Sequence, residues 1–322
     1  MIGFRVEWDN KIGYGHLYRC LELADGLREK GQNAVFFTRS KYESYLDSSS
    51  VVELHGSSLL HDVDVLADKK VAIVVNDILD TDVGYMKKLH EKKIKSVNLD
   101  DTGEGASLAS VNILSLRRPK KNDRNVISGS QYLVLRKSFS EFRAKSVKKD
   151  INNIVCNVLI VASGSEPPNM VENCILWIKS YDPTLKITLV SRNADKASRI
   201  LHNDVTAVEN VDASKLIDLM TKTDIGVTGC GVSAYEMACT GLPTITICKS
   251  SFETKENQIG RYGFAIQIGQ AGSVQSEDMH KALVALSDPK QRKIMSDKGY
   301  NAVDGSGLSR VIAIIEELID AR

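Results

Sequence analysis

The residues near the start of the chain that could do chemistry are Gly13, Tyr14, Gly15, His16 and Arg19, in the run Asn10-Lys11-Ile12-Gly13-Tyr14-Gly15-His16-Leu17-Tyr18-Arg19. Glycines between a strand and a helix let the backbone approach a ligand closely, and the free N–H groups of a helix start attract a phosphate or carboxylate. His16 falls in that first helical turn, where the helix dipole disfavours the imidazolium and leaves a neutral ring able to accept a proton. That suits a general base, although the position also fits a helix-capping histidine with no catalytic task. Gly13-x-Gly15 lacks the third glycine of the dinucleotide fingerprint, which argues against a nicotinamide enzyme.

Two further turns have a similar character. In Ile225-Gly226-Val227-Thr228-Gly229-Cys230-Gly231-Val232-Ser233-Ala234-Tyr235-Glu236, followed by Gly241-Leu242-Pro243, a strand runs through a glycine turn into a helix. Gly231, Ser233 and the N–H groups there can hold a diphosphate, and Glu236 can accept both hydroxyls of a ribose. Ser233-x-x-Glu236 also reads as a plain capping box. The turn Ala162-Ser163-Gly164-Ser165-Glu166-Pro167-Pro168-Asn169 places Gly164 and Ser165 where a second strand ends, with a purely structural turn as the alternative.

Among the acids, Asp100 and Asp101 close a strand and run into Thr102-Gly103-Glu104-Gly105, and Asp77 closes a neighbouring one. They could orient His16, bind sugar hydroxyls or cap loops. An Asp cluster can bind magnesium, but no other metal-ligand spacing accompanies it, so no metal or cofactor is expected. Asn257 and Gln258 offer neutral amides to phosphate oxygens or sugar hydroxyls without the cost of burying a charge.

Short β-branched runs alternate with helical patterns throughout, the signature of βα units around a parallel sheet. The expected fold is α/β, with two Rossmann-type doubly wound domains facing across a cleft. Strands are expected at Ile2 to Val6, Ala34 to Phe37, Val51 to Leu54, Val71 to Val75, Ser96 to Leu99 and Val111 to Leu114. In the second half they are expected at Val155 to Val161, Lys186 to Val190, Thr206 to Val208, Ile225 to Thr228, Thr244 to Ile247 and Ala265 to Ile268. The polar, lysine-bearing stretch Ser140 to Asn153 reads as the linker between domains 1–145 and 150–322. Which domain the last helix, about Gly307 to Ala321, packs on is left open.

The 322 residues carry 42 basic against 41 acidic side chains, a balance that argues against a nucleic-acid partner. Apolar runs reach only about five residues against the roughly 18 of a membrane span, so none is expected. The N-terminus lacks the apolar core of a signal peptide, which suggests the cytoplasm. Six cysteines without a C-x-x-C pair read as reduced core thiols rather than a zinc site.

In their order, Gly-x-Gly-His-x-x-Arg, a Gly-Ser turn opening the second half, Gly-x-Ser-x-x-Glu with Gly-Leu-Pro, and Asn-Gln resemble the PseG/SpsG family. The likeness extends to Tyr132-Leu133-Val134-Leu135-Arg136-Lys137-Ser138-Phe139 and to Val303-Asp304-Gly305-x-Gly307. The resemblance implies a GT-B fold and a nucleotide-sugar substrate, with pseudaminic acid or surface polysaccharide synthesis as the setting. It makes His16 the base that activates water at an anomeric carbon, with Gly13 and Gly15 admitting the sugar and diphosphate. Gly164 and Ser165 would line the nucleotide pocket, Glu236 would hold the ribose, and Asn257 and Gln258 would face phosphates or sugar. The family's Asp-His-Tyr is here Asp77-Ile78-Leu79. The resemblance makes hydrolysis of a nucleotide sugar the expected activity, with UDP as the expected nucleotide. The alternatives are glycosyl transfer from the same leaving group and binding without catalysis.

Overall fold

The computed structural model describes residues 1–9, 13–42, 44–120, 125–145, 148, 150–162, 167, 169–191, 205–209 and 211–321. They form two compact units, one of Met1–Leu135 with the chain from Ser306 on, the other of Arg136–Gly305.

The first unit opens with β1 (Ile2–Val6), α1 (Gly15–Glu29), β2 (Ala34–Thr38), β3 (Val51–Glu53), α2 (Leu59–Asp68) and β4 (Ile73–Asp77). It continues with α3 (Val83–Glu91), β5 (Lys95–Leu99), β6 (Val111–Leu114) and β7 (Val126–Ser128). These strands make one parallel sheet in the order β3-β2-β1-β4-β5-β6-β7. The order reverses between β1 and β4, so the chain leaves these neighbouring strands toward opposite sides and opens a crevice at their carboxyl ends. On one face Phe4, Val6 and Val75 pack on Leu17, Cys20, Leu23 and Leu27 of α1; on the other Val74 and Phe37 pack on Leu66, Tyr85 and Leu89. Burial on both faces is what a fully parallel sheet requires.

The second unit runs through α4 (Lys137–Lys145), β8 (Asn157–Val161), α5 (Met170–Tyr181), β9 (Lys186–Val190), β10 (Val205–Val208), α6 (Ala213–Thr221) and β11 (Ile225–Gly229). After these come α7 (Val232–Thr240), β12 (Thr244–Cys248), α8 (Ser251–Glu256), α9 (Ile259–Tyr262), β13 (Ala265–Gln270), α10 (Ser276–Ser287) and α11 (Pro289–Ala302). Its parallel sheet has the order β10-β9-β8-β11-β12-β13, with the reversal between β8 and β11.

The final helix, α12 (Gly307–Asp320), returns to the first unit, burying Val311, Ile312 and Ile315 against the β1 and α1 core. Lys95 Nζ donates to the Leu318 and Ala321 carbonyls at 2.7 and 2.5 Å, placing a cation at the helix's negative end.

Three sequence readings are corrected. The division falls between Leu135 and Arg136, not in 145–150; the last helix, whose packing the sequence left open, joins the first unit. Residues 140–145 of the expected linker are the end of α4, whose polar sequence hides one apolar anchor, the fully buried Phe139. The six cysteines are not all free thiols: Cys230 and Cys248 form a disulfide, while Cys20, Cys156, Cys174 and Cys239 remain free. The pair lies 18 residues apart, yet β11 and β12 are sheet neighbours and bring its Cα atoms to 5.0 Å, within disulfide range. Among the described residues no helix is long and apolar enough to cross a membrane.

Gly307 tests the seating of α12. A Cβ there would run into the Leu133 carbonyl oxygen, a backbone atom that cannot swing aside as a side chain would. Alanine normally stabilises a helix by up to about 1 kcal/mol relative to glycine, so a lower stability for Gly307→Ala reports the contact. We expect a loss of about 1–3 kcal/mol, read from the urea midpoint. A midpoint that is unchanged or raised contradicts this packing.

Candidate functional site

The end of β1 and the start of α1 bring His16 beside Asp77, the last residue of β4. His16 Nδ1 lies 2.5 Å from Asp77 Oδ1, with the imidazole 19% exposed and the carboxylate fully buried. Arg19, one helical turn beyond His16 and itself buried, donates through Nε to Asp77 Oδ2 and through Nη2 to Asp77 Oδ1. Its remaining terminal nitrogen, Nη1, donates to Asp100 Oδ2 at 2.5 Å. One guanidinium thus binds two carboxylates, and the first of them holds the histidine.

Burial alone would raise the Asp77 pKa, but the Arg19 charge and then His16 outweigh it and hold the carboxyl well below the usual range. Burial would likewise discharge Arg19, and Asp77 and Asp100 reverse that, keeping it charged. Burial, reinforced by the Asp77 charge, keeps the Cys20 thiol protonated, and that thiol points at Asp77 Oδ2 at 3.6 Å. An ionised carboxylate accepts and cannot donate, so the His16 nitrogen facing it carries the proton. In the neutral ring Nε2 is then the lone-pair nitrogen, and among the described residues it has no hydrogen-bond partner. This is the tautomer a general base requires, oriented as in a histidine–aspartate pair.

Several expected roles change. Arg19 is too buried and too fully paired to meet a substrate, so it positions Asp77 instead. Asp100, in the left-handed region at φ 53°, accepts from Leu116 N at 2.7 Å, Ser115 Oγ at 3.1 Å and Arg117 N at 3.3 Å besides Arg19. It anchors Arg19 and the 115–117 loop. Asp101 belongs to another network: it accepts from Thr81 Oγ1 and Asn98 Nδ2, both at 2.6 Å, and from Gly103 N at 2.9 Å. It does not join the His16 cluster. Gly13 takes a positive φ of 93° and donates its N–H to the Asp9 carbonyl, and Gly15 begins α1 after Tyr14. Tyr14 packs on Tyr45 with ring centroids 5.6 Å apart.

In the second unit, the turn after β11 enters α7 with Gly231 as N-cap and without a side-chain cap bond. Ser233 is therefore the second helical residue, and its pairing with Glu236 as a capping box is not formed. A Cβ on Gly231 would meet nothing within 4 Å, so there is open space over the helix start. Glu236 is buried, with Oε1 accepting from Arg136 Nε at 3.1 Å and Nη2 at 2.9 Å. The Cys230–Cys248 disulfide ties the same turn to the end of β12.

Asn257 is turned inward: Nδ2 donates to the Glu253 carbonyl and to Gln267 Oε1, and Oδ1 accepts from Ile259 N. It builds its own loop rather than presenting an amide. Gln258 is also buried. Gly164 and Ser165 lie outside the described residues. Among those described, no group of three or more His, Cys, Asp or Glu residues is arranged for a metal ion.

Two features escaped the sequence reading. Arg136 lies inside a quoted motif, but nothing local pairs it with a glutamate 100 positions away. Asn76, Asn98 and Asn112 occupy the same register on β4, β5 and β6, forming a buried ladder with an Asn76–Asn98 bond of 2.8 Å. An asparagine in each of three apolar strands was the available signal.

The ion pairs generate a pH prediction. The folded-state pKa of Asp77 lies below its unfolded value, so its contribution to stability is present above about pH 4 and is lost as pH falls further. At pH 7 Asp77→Asn should cost about 3–5 kcal/mol, the range for breaking a buried ion pair. Urea midpoints measured across pH should show the gap to wild type narrowing below about pH 4. A gap independent of pH contradicts the assignment.

No family model matches the chain. Over 340 aligned positions it is 23% identical to the spore coat polysaccharide biosynthesis protein SpsG of Bacillus subtilis, with 99% of this chain and 98% of that protein covered. The solved structure of UDP-GlcNAc 2-epimerase from Neisseria meningitidis bound to UDP-GlcNAc matches with a TM-score of 0.64 at 12% identity, covering 98% of this chain and all of that one. A glycosyltransferase from Rickettsia africae gives 0.61 at 11% identity, covering 100% and 99%. The fold is thus GT-B-like, two parallel-sheet Rossmann-type domains, and the chain resembles SpsG over almost its whole length, as its motifs imply.

Proposed function

We propose that the chain is an enzyme acting on a nucleotide sugar in polysaccharide biosynthesis, and that the reaction is hydrolysis at the anomeric carbon. The observation that carries this reading is His16, with Nδ1 committed to an ionised, buried Asp77 and Nε2 left to accept a proton. Full-length similarity to SpsG supports the biosynthetic setting. The proposal assigns nucleotide binding to the glycine turn, Ser233 and Glu236 of the second unit.

In the proposed step a water oxygen bonds to the anomeric carbon as the bond from that carbon to the diphosphate oxygen breaks. The water's proton passes to His16 Nε2, and the electron pair of the broken bond leaves with the nucleoside diphosphate. Asp77 balances the imidazolium charge. Within the second unit, the start of α7 has no side-chain cap, so backbone N–H groups of its first turn can meet the negative charge of a diphosphate.

Glycosyl transfer is the second reading, favoured by the fold shared with the glycosyltransferase structure. It uses the same base and leaving group, with an acceptor hydroxyl in place of water. Non-catalytic binding would leave the His16, Asp77 and Arg19 arrangement without a purpose.

The test is release of the free nucleotide, UDP, CMP or GDP, from a panel of UDP-, CMP- and GDP-sugars, with and without acceptor sugars. Release in water alone is the expected result; release only with acceptor shifts the assignment to transfer, and binding without release overturns both. In the active pairing, His16→Ala should retain nucleotide binding and lose about 100-fold or more in turnover. Unchanged turnover removes His16 from the mechanism.

A further inference from the structure

The pairing of Arg136 with Glu236 is asymmetric. A guanidinium and a carboxylate usually meet fork to fork, with two N–H groups on two oxygens. Here Nε and Nη2 of Arg136 both donate to Oε1 of Glu236, at 3.1 and 2.9 Å. A carboxylate has about four acceptor sites, two per oxygen. Arg136 fills both sites on Oε1, and among the described residues no hydrogen bond reaches Oε2. Among the described residues the carboxylate therefore keeps one oxygen with two open acceptor sites, five residues into a helix that has no side-chain cap.

Arg136 is itself held from below. Its guanidinium lies 5.6 Å from the centroid of the Phe139 ring, which is fully buried. At the other end of α4, Arg143 Nη1 donates to the Tyr300 and Val303 carbonyls at 2.8 and 2.5 Å, and its guanidinium lies 3.4 Å from the centroid of the Tyr300 ring. The Tyr300 and Val303 carbonyls close α11, so α4 is fixed against the body of the second unit and Arg136 starts from a defined place.

We propose that Arg136 is a positioning residue for nucleotide recognition. By occupying Oε1 it turns Glu236 so that Oε2 presents its two acceptor sites to the two vicinal hydroxyls of a ribose. The chemical class this selects is a ribonucleotide with a free 2′,3′-diol. The inference rests on the reading of Glu236 as the ribose ligand and adds the residue that orients it.

The experiment measures dissociation constants of UDP and of 2′,3′-dideoxy-UDP by calorimetry on the full chain. The proteins are wild type, Arg136→Ala, Arg136→Lys, Glu236→Ala and the double variant Arg136→Ala/Glu236→Ala. Wild type should prefer UDP, and Arg136→Ala should weaken UDP about ten-fold, as for loss of hydrogen bonds to a charged group, while leaving dideoxy-UDP unchanged. Arg136→Lys keeps the charge, and so the fold, but lacks the two-pronged donor; it should show the same loss of diol preference. The double variant should bind UDP no more weakly than Glu236→Ala. Equal weakening of both ligands would overturn the proposal in favour of a structural ion pair, and so would an unchanged preference in both Arg136 variants while Glu236→Ala loses it. Retention of the UDP preference by Glu236→Ala would instead overturn the ribose reading itself.

Discussion

One buried cation organises the first unit's candidate site. The Arg19 guanidinium spends its donors on Asp77 and Asp100, and through them joins α1 to the ends of β4 and β5. Removing either carboxylate would leave buried guanidinium donors without an acceptor, which is far costlier than the modest net worth of the hydrogen bonds suggests. The arrangement fixes more than stability. It keeps Asp77 ionised, and an ionised acceptor dictates which nitrogen of His16 bears hydrogen. Histidine chemistry here is set by an arginine that never reaches the surface.

The two units solve their positioning problem in the same way. Each sheet reverses its strand order once, at β1/β4 and at β8/β11, and the candidate residues flank those reversals: His16 and Asp77 in one, the Gly231 turn and Glu236 in the other. Parallel strands turn their carboxyl ends and the helix starts that follow to one edge, so short side chains and backbone N–H groups meet there without long loops. Each carboxylate is paired with an arginine in or next to a helix: Asp77 with Arg19 of α1, and Glu236 with Arg136 just before α4.

Much of this was legible in the sequence, because alternation of β-branched runs with helical periodicity reports local structure directly. The strands and the last helix were found to within a few residues, except β7, which was missed. The glycine turns were found because glycine types mark backbone demands. Partnership was not legible. Arg19 read as a substrate contact because its neighbours in sequence are the glycines and His16, whereas its partners are 58 and 81 residues away. Asp100 and Asp101 are adjacent in sequence, yet the left-handed backbone at Asp100 sends the two carboxylates into different networks. The disulfide and the capping of α7 by Gly231 rather than Ser233 also depend on which elements become neighbours.

The most direct measurement is the tautomer of His16, read from the 15N chemical shifts of its two ring nitrogens in histidine-labelled protein. In the neutral ring Nδ1 should appear as the protonated nitrogen, coupled to its hydrogen, and Nε2 as the unprotonated one. A neutral ring protonated at Nε2 would contradict the account, because the nitrogen facing Asp77 would then be an acceptor with nothing to donate and the base would point into the protein.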